Sequence, residues 1–251
     1  MSNWGRFFFG HFVQKRTVPE WTQIKKEGMK MSFVVAIDGP AGSGKGTITK
    51  LIGEKTELMN IDTGAMYRCV TLYMLRNNIK LEETEKINKM LNEIDIEFKK
   101  ENEIDKVYLN KEDVTKEIRS KAVNEFVSQV SHVVEIRENI TNLSRKVAEG
   151  KNVIMEGRDI GTNVFPNADI KIYLDATPEE RANRRMKQNE EKGIDMSYEE
   201  VLKNIKFRDN NDKTSKVAPL KQAEDAIYID TTDMTIPEVV EKITNLVLEK
   251  K

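Results

Sequence analysis

The sequence predicts an α/β domain, a five-stranded parallel sheet flanked by helices. Short β-branched runs alternate with longer segments of helical period, the pattern of strands joined by crossover helices. The first clean strand, FVVAID, runs straight into a glycine-rich loop that opens a helix. Strands are expected at 33–38, 58–61, 152–156, 170–174 and 226–229. Helices are expected at 46–55, 65–77, 178–192, 198–209 and 237–249, the last with Pro237 in its first turn, where a missing N–H costs nothing.

Residues 81–149 break the alternation between the second and third of these strands. Within them 94–98 and 107–109 read as paired strands around a polar turn, and 121–149 reads as helical. The stretch is not rich in Gly, Ser or Pro, so it reads as an insertion with its own small sheet and not as a linker. The core is then 31–80 and 150–251. Residues 1–30 precede the first strand, carry no motif, and read as a flexible N-terminal extension outside the domain 31–251.

The 251 residues hold 41 Lys+Arg against 42 Asp+Glu, a formal charge of −1. No global field favours nucleic acid or a membrane surface, so any anion site is local. No run approaches the roughly 18 apolar residues of a membrane span. The single cysteine, Cys69, rules out an internal disulfide and reads as a buried structural thiol in a helix, in keeping with a reducing, cytoplasmic setting. A monomer working on small molecules is expected.

The strongest motif is Gly39-Pro40-Ala41-Gly42-Ser43-Gly44-Lys45-Gly46-Thr47. Its place between a strand and a helix is what a P-loop requires: backbone N–H groups converge on phosphate oxygens, the helix N-terminus adds positive charge, and the lysine reaches the outer phosphates. The fold class is therefore that of the P-loop NTPases. Gly46 stands where the common pattern has Ser or Thr, and the hydroxyl comes one later, at Thr47. Mg²⁺ held mainly by substrate phosphates and water is expected.

Arginine makes up only 12 of the 41 basic residues, and seven of the twelve fall in or beside motif-like contexts: Arg68, Arg137, Arg158, Arg181, Arg184, Arg185 and Arg208. The planar guanidinium fork suits phosphate, and several forks converging on a transferring phosphoryl group would stabilise its spread charge. Asp62-Thr63-Gly64-Ala65-Met66-Tyr67-Arg68 follows the second strand and opens a helix, with Thr63 as the expected cap and Arg68 pointing back to that terminus. Gly157-Arg158-Asp159-Ile160-Gly161 follows the strand NVIME, at a carboxyl strand end where open α/β sheets bind ligands.

Taken together, GPAGSGKGT, DTGAMYR, EGRDIGT, VFPNADIKIYLDATPEERANRR and KVAPLKQAEDAIYIDTT resemble bacterial cytidylate kinases over about residues 32–250, and DVTKEIRS and VSQVSHVVEIREN extend the likeness into the insertion. The resemblance implies ATP-dependent phosphorylation of CMP, with dCMP as a further acceptor, an enlarged monophosphate-binding insertion and a helical lid at about 178–195. It implies that Gly39 to Thr47 cradle ATP and that Arg181, Arg184 and Arg185 close on its phosphates. Lys45, Arg158, Arg184 and Arg185 would be catalytic. Ser128, Arg137 and Asp159 would read cytosine, Arg208 and Asp212 would hold the pentose, and Thr63, Arg68 and Arg158 would hold the acceptor phosphate, with Tyr67 packed nearby. The family pattern R-D-x-R-D-x-x-R is altered here: Asn211 and Ser215 stand at its second and third arginines. Fewer bidentate ligands imply weaker use of CMP.

Three rival readings remain. A UMP preference stays open, as does a nucleotide-binding module without turnover. Asn110-Lys111-Glu112-Asp113 spells a guanine-reading signature, but no Asp-x-x-Gly accompanies it, and it reads as a polar hairpin turn. The only histidines, His11 and His132, lie outside the phosphate motifs. Removing residues 1–30 is expected to leave turnover and melting temperature nearly unchanged, although Phe7, Phe8, Phe9, Phe12 and Trp21 make the segment unusually aromatic. A truncated chain melting well below the full one would make the segment part of the fold.

Overall fold

The computed structural model describes residues 32–101, 104–191 and 193–251; the expectation for 1–30 lies outside the described residues. The principal strands are β1 (Val34–Asp38), β2 (Met59–Asp62), β6 (Val153–Gly157), β7 (Ile170–Asp175) and β8 (Ile227–Asp230). They form one parallel sheet in the order β2-β6-β1-β7-β8. Each strand expected for this sheet is present within one residue at either end, whereas the insertion strands expected at 94–98 and 107–109 run over Ile96–Glu101 and Ile104–Leu109.

Alternation along the central strands feeds two separate cores, as a sheet covered on both faces requires. Val34 and Ala36 of β1, with Val153 and Met155 of β6, pack with Met66, Cys69 and Val70 of α2 (Thr63–Arg76) and with Ile136 and Ile140 of α5 (Val134–Ala148). Val35, Ile37 and Ile154 point the other way, to Ile48 and Ile52 of α1 (Lys45–Thr56) and Val239, Val240, Ile243 and Val247 of α8 (Ile236–Lys250).

The insertion has no separate core. It contains α3 (Thr84–Glu93), an antiparallel sheet of β3 (Ile96–Glu101), β4 (Ile104–Leu109) and β5 (Glu112–Asp113), a 3₁₀ turn at Glu117–Arg119, then α4 (Lys121–Val130) and α5. Ile87, Val107, Val123 and Ile136 belong to the same buried cluster as β1 and α2. Sequence reading did not anticipate α3 or β5.

Asn110 and Lys111 form the tight turn between β4 and β5, with Leu109 paired to Glu112 and Tyr108 to Asp113. Both turn residues have positive φ, 50° and 71°, as a two-residue hairpin turn of the primed class demands. The guanine-like tetrapeptide is therefore hairpin chemistry.

A third, small cluster joins α6 (Pro178–Glu191) to α7 (Tyr198–Thr214) through Ala182, Val201 and Ile205, with Met186, Met196, Tyr198 and Leu202 around them. Ser197 caps α7 in a full capping box with Glu200, which fixes where the second helix begins.

Lys111 adopts a left-handed conformation that glycine takes without steric cost. Lys111→Gly is expected to stabilise the protein by roughly 0.5–1 kcal/mol, read as a shifted urea midpoint at unchanged slope; a lowered midpoint would show that the lysine side chain contributes more than the turn geometry.

Candidate active site

Register sets the site. Asp38 at the end of β1 lies opposite Gly157 of β6, and Asp62 at the end of β2 lies opposite Glu156. The loops that leave these three strands emerge side by side at the carboxyl edge of the sheet, the ligand edge of open α/β folds. A cleft of about 1310 Å³ opens there, lined from the P-loop, the start of α2, the Arg158 loop, the insertion and the α6–α7 pair.

On the P-loop side, Ala41, Gly42, Gly44, Lys45, Gly46 and Thr47 line the cleft, whereas Gly39, Pro40 and Ser43 lie behind it. A side chain at Gly39 is impossible, because its Cβ would stand 2.0 Å from the Leu174 carbonyl oxygen. Lys45 is buried and donates to the Pro40 carbonyl at 2.7 Å and to Ser43 Oγ at 3.2 Å. Burial, aided by the charge of Arg158, brings its pKa down to about 7, against the pull of Glu156, Asp38 and Asp212.

Sequence reading missed two buried carboxylates beside this lysine. Asp38 accepts from the backbone N–H groups of Ile160 and Gly161, both at 2.7 Å, and burial raises its pKa to about 6. Glu156 is likewise raised to about 7, by burial and then by Asp62. Its Oε1 is 2.9 Å from where a Cβ on Gly46 would be, so a side chain at residue 46 would have to displace the end of the Glu156 carboxylate. The signal was available in the sequence, since an apolar strand ending in Glu at a ligand edge needs a reason.

Opposite the P-loop, Thr63 is the first residue of α2 and its hydroxyl donates to the Glu156 carbonyl at 2.7 Å. The cap is Asp62, not Thr63 as expected: Asp62 Oδ1 accepts from Ala65 N at 3.0 Å, the usual reach from cap to third helical residue. Arg68 folds back over this terminus, its Nη1 filling the space above the Gly64 Cα. The Nε atoms of Arg68 and Arg208 are buried without a hydrogen-bond partner. Burial lowers the pKa of both guanidinium groups, to about 10 for Arg208, and the charges of Arg158 and Arg185 add to the effect. Arg158 donates through Nε to Asp212 Oδ2 at 2.8 Å. The cleft thus gathers Arg68, Arg158, Arg185 and Arg208, two of them with buried Nε atoms that have no hydrogen-bond partner.

Deeper on the insertion side, Arg137 donates to Asp159 Oδ1 at 2.9 Å and to the Ser131 carbonyl at 3.2 Å. Its guanidinium carbon lies 5.6 Å from the centre of the Tyr67 ring. Asn163 fills the second oxygen of Asp159 at 3.0 Å. Asn163 stands in the wide turn Ile160–Val164, closed by a hydrogen bond from Phe165 N to the Ile160 carbonyl, a kind of turn found often at functional sites. Ser128, Arg137 and Asp159 share the wall of the cleft.

The three arginines of α6 part company. Arg184 and Arg185 line the cleft, with Arg184 donating to Thr231 Oγ1 at 3.1 Å and the Thr231 carbonyl at 2.6 Å. Arg181 does not reach it. It is buried in a two-point ion pair with Asp209 of α7, at 2.9 and 2.6 Å, and also donates to the carbonyls of Ala176 and Ala41. In this arrangement its donors tie α7 to the back of the P-loop.

The cytidylate kinase family profile matches residues 35–249. The chain belongs to that family. It is 50% identical to a cytidylate kinase of Fusobacterium nucleatum over 220 residues, 88% of this chain and 99% of the relative. It is 49% identical to one from Caldicellulosiruptor bescii over 212 residues, 84% and 94% of the two chains. A Leuconostoc mesenteroides cytidylate kinase is 45% identical over 216 residues, 86% and 96% of the two.

Asn211 and Ser215, which the resemblance sets against two arginines, do not line the main cleft, although Asp212 does and Ser128 lines both it and the cavity next to it. Asn211 and Ser215 line a second cavity of about 470 Å³ between α4 and the end of α7. Ser215 Oγ donates to the Val217 carbonyl at 2.8 Å, so the hydroxyl serves the chain reversal after α7.

Both members of the Arg137–Asp159 pair are nearly inaccessible, 9% and 7% exposed. Removing one partner leaves an unpaired buried charge, at a cost of about 3–5 kcal/mol. Asp159→Ala is therefore expected to lower stability by that amount in denaturant unfolding, and Arg137→Met combined with Asp159→Leu to recover much of the loss. Additive losses in the double variant would mean that the pair is not the source.

Proposed function

We propose that this chain transfers the γ-phosphoryl group of ATP to CMP, giving ADP and CDP, and that it accepts dCMP as well. The observation that carries the reading is the guanidinium-rich centre of the cleft: buried Arg68 and Arg208 with unpaired Nε atoms, beside Arg158 and Arg185 and facing the P-loop lysine. Such a centre suits two polyphosphate groups meeting end to end, because charge spread over phosphoryl oxygens satisfies forks that find no partner in the protein.

ATP would lie along Gly42 to Thr47, with Arg184 and Arg185 over its outer phosphates. CMP would enter on the insertion side, its base read by Ser128, Arg137 and Asp159, its pentose held by Arg208 and Asp212, and its phosphate by Thr63, Arg68 and Arg158. A CMP phosphate oxygen attacks the γ-phosphorus in line, the bond to the β-phosphate oxygen breaks, and ADP leaves with that electron pair. The attacking oxygen is already anionic at neutral pH, so no general base is needed, and positioning with charge neutralisation carries the rate.

Mg²⁺ fits this site as an ion held chiefly by substrate. Among the described residues no group of three or more His, Cys, Asp or Glu could hold a metal, but the Glu156 carboxylate beside Gly46 and the cleft-facing Thr47 offer hard oxygen donors. When bound, Mg²⁺ would neutralise phosphate charge. Among the described residues no helix is long and apolar enough to cross a membrane, and the Cys69 thiol is buried with its pKa pushed up to about 12. A monomer acting in the cytoplasm is in keeping with both.

A coupled assay over CMP, dCMP, UMP, AMP and GMP is expected to give diphosphate from CMP and dCMP, least from purines. Lys45→Met should remove turnover by at least about a thousandfold while leaving circular dichroism and melting close to those of the parent chain. Near-normal turnover by folded Lys45→Met would defeat the mechanism, and phosphate release without an acceptor would replace kinase by hydrolase.

A further inference from the structure

Asn163 falls between two of the sequence motifs, EGRDIGT and VFPNADIKIYLDATPEERANRR. It is exposed and does not line the cleft, yet it holds a residue that does. Asp159 Oδ1 accepts from Arg137 Nη1 at 2.9 Å, while the Nε of the same guanidinium turns to the Ser131 carbonyl at 3.2 Å. Asp159 Oδ2 accepts from the side-chain amide of Asn163 at 3.0 Å. A carboxylate only accepts, so the amide must present its nitrogen. The Asn163 backbone is itself fixed on both sides: its N–H donates to the Asp159 carbonyl at 2.8 Å, and its carbonyl accepts from Arg145 at 2.9 Å. Arg145 stands about two turns after Arg137 on α5, and its Nε donates to the Val164 carbonyl at 3.0 Å. Asp38 takes the N–H groups of Ile160 and Gly161 in the same turn. The amide is thus delivered to Asp159 from a turn tied to both the P-loop strand and the insertion.

Resting on the kinase reading above, we infer that Asn163 is a positioning residue that sets the preference for cytosine over uracil, acting through Asp159. The two bases differ at the edge Asp159 would read: cytosine presents an amino N–H there, uracil a carbonyl oxygen. A carboxylate held with both oxygens in place is an acceptor only, complementary to the first and repelled by the second. Arg137 alone does not hold it so. A guanidinium and a carboxylate pair best through two parallel hydrogen bonds, and here the second oxygen is committed to Asn163 instead. Without the amide, Asp159 is free to turn toward the two-point pair, which draws its lone pairs to α5 and away from the base. Cytosine then loses its acceptor, whereas uracil loses only a repulsion.

The test is kcat and KM for CMP and for UMP at saturating ATP, with the KM for ATP and the melting temperature, in the parent chain, Asn163→Leu, Asn163→Asp and Asn163→Gln. Asn163→Leu keeps the size and removes the donor. It is expected to lower kcat/KM for CMP by about tenfold, mainly through KM, with UMP use unchanged to within about twofold, so that the CMP-to-UMP ratio falls about tenfold. The KM for ATP and the melting temperature should stay within about twofold and a few degrees, since the position is exposed. Asn163→Asp brings a like charge to Oδ2 and should cost CMP use more than Asn163→Leu. Asn163→Gln keeps the amide one methylene further out and should recover part of the ratio. An unchanged ratio in Asn163→Leu and Asn163→Asp overturns this inference and leaves the kinase reading intact. A parallel fall in CMP and UMP use with a lowered melting temperature would make Asn163 a brace of the turn and overturn it too. Absence of CMP phosphorylation by the parent chain would overturn both readings.

Discussion

The site depends on how β1 is fastened to the loop after β6. Parallel pairing brings Asp38 opposite Gly157, and the Asp38 carboxylate then takes the N–H groups of Ile160 and Gly161. Those donors lie at the start of a wide turn whose backbone does not satisfy them in a regular ladder, and a buried N–H left unpaired would cost about 1–3 kcal/mol. Burying a carboxylate to satisfy them raises its pKa to about 6, so the arrangement is held at an electrostatic cost. The result is that the P-loop strand and the Arg158–Asp159 loop form one rigid edge, and the residues on either side of the cleft inherit that spacing.

Around this edge several arginines are each held by a carboxylate from another part of the chain. Asp209 of α7 holds Arg181 of α6, Asp212 of α7 holds Arg158, and Asp159 holds Arg137. Asp62 at the head of α2 stands 3.7 Å from Arg119 and acts on Arg68 through its charge. A buried guanidinium beside a carboxylate is fixed in direction as well as charge, because the planar fork permits few geometries. Pairing therefore orients Arg137, Arg158 and Arg181, while Arg68 and Arg208 keep buried Nε atoms without a hydrogen-bond partner. Orientation at the edge and unmet demand at the centre together make an anion site.

The sheet was legible in the sequence because its central strands are buried on both faces, so runs such as VVAI and VIM are continuously apolar. α3 was passed over although Ile87, Met90 and Leu91, its buried residues, stand at helical spacing: three apolar positions in ten residues make a clear but short signal. β5 is two residues long and exists only because Asn110 and Lys111 turn β4 back on itself. The P-loop, Arg158 and Asp159 were visible through strand-then-motif order. The cap at Asp62 and the inward turn of Arg181 were not, because adjacent polar residues look alike in sequence and only packing decides which one the backbone or a neighbouring helix can reach. Glu156 is the same case: its effect on Gly46 crosses 110 residues of chain and arises only from β6 lying beside β1.

The α6–α7 pair differs in kind from the insertion. The insertion shares its apolar core with the sheet, so displacing it as a whole would expose the cluster that includes Val34, Met66 and Met155. The α6–α7 pair keeps its few apolar residues to itself. Its links to the rest are polar: Arg181 to the Ala41 carbonyl, Arg184 to Thr231, and Asp212 to Arg158. Apolar burial is lost in proportion to area whenever such contacts open, whereas hydrogen bonds to a phosphate or to water can replace those to a carbonyl or carboxylate at small net cost. Motion of this pair over a bound nucleotide would exchange one set of polar partners for another, and two of the residues that would change partners, Arg158 and Arg184, are ones the proposed reaction places at the phosphates.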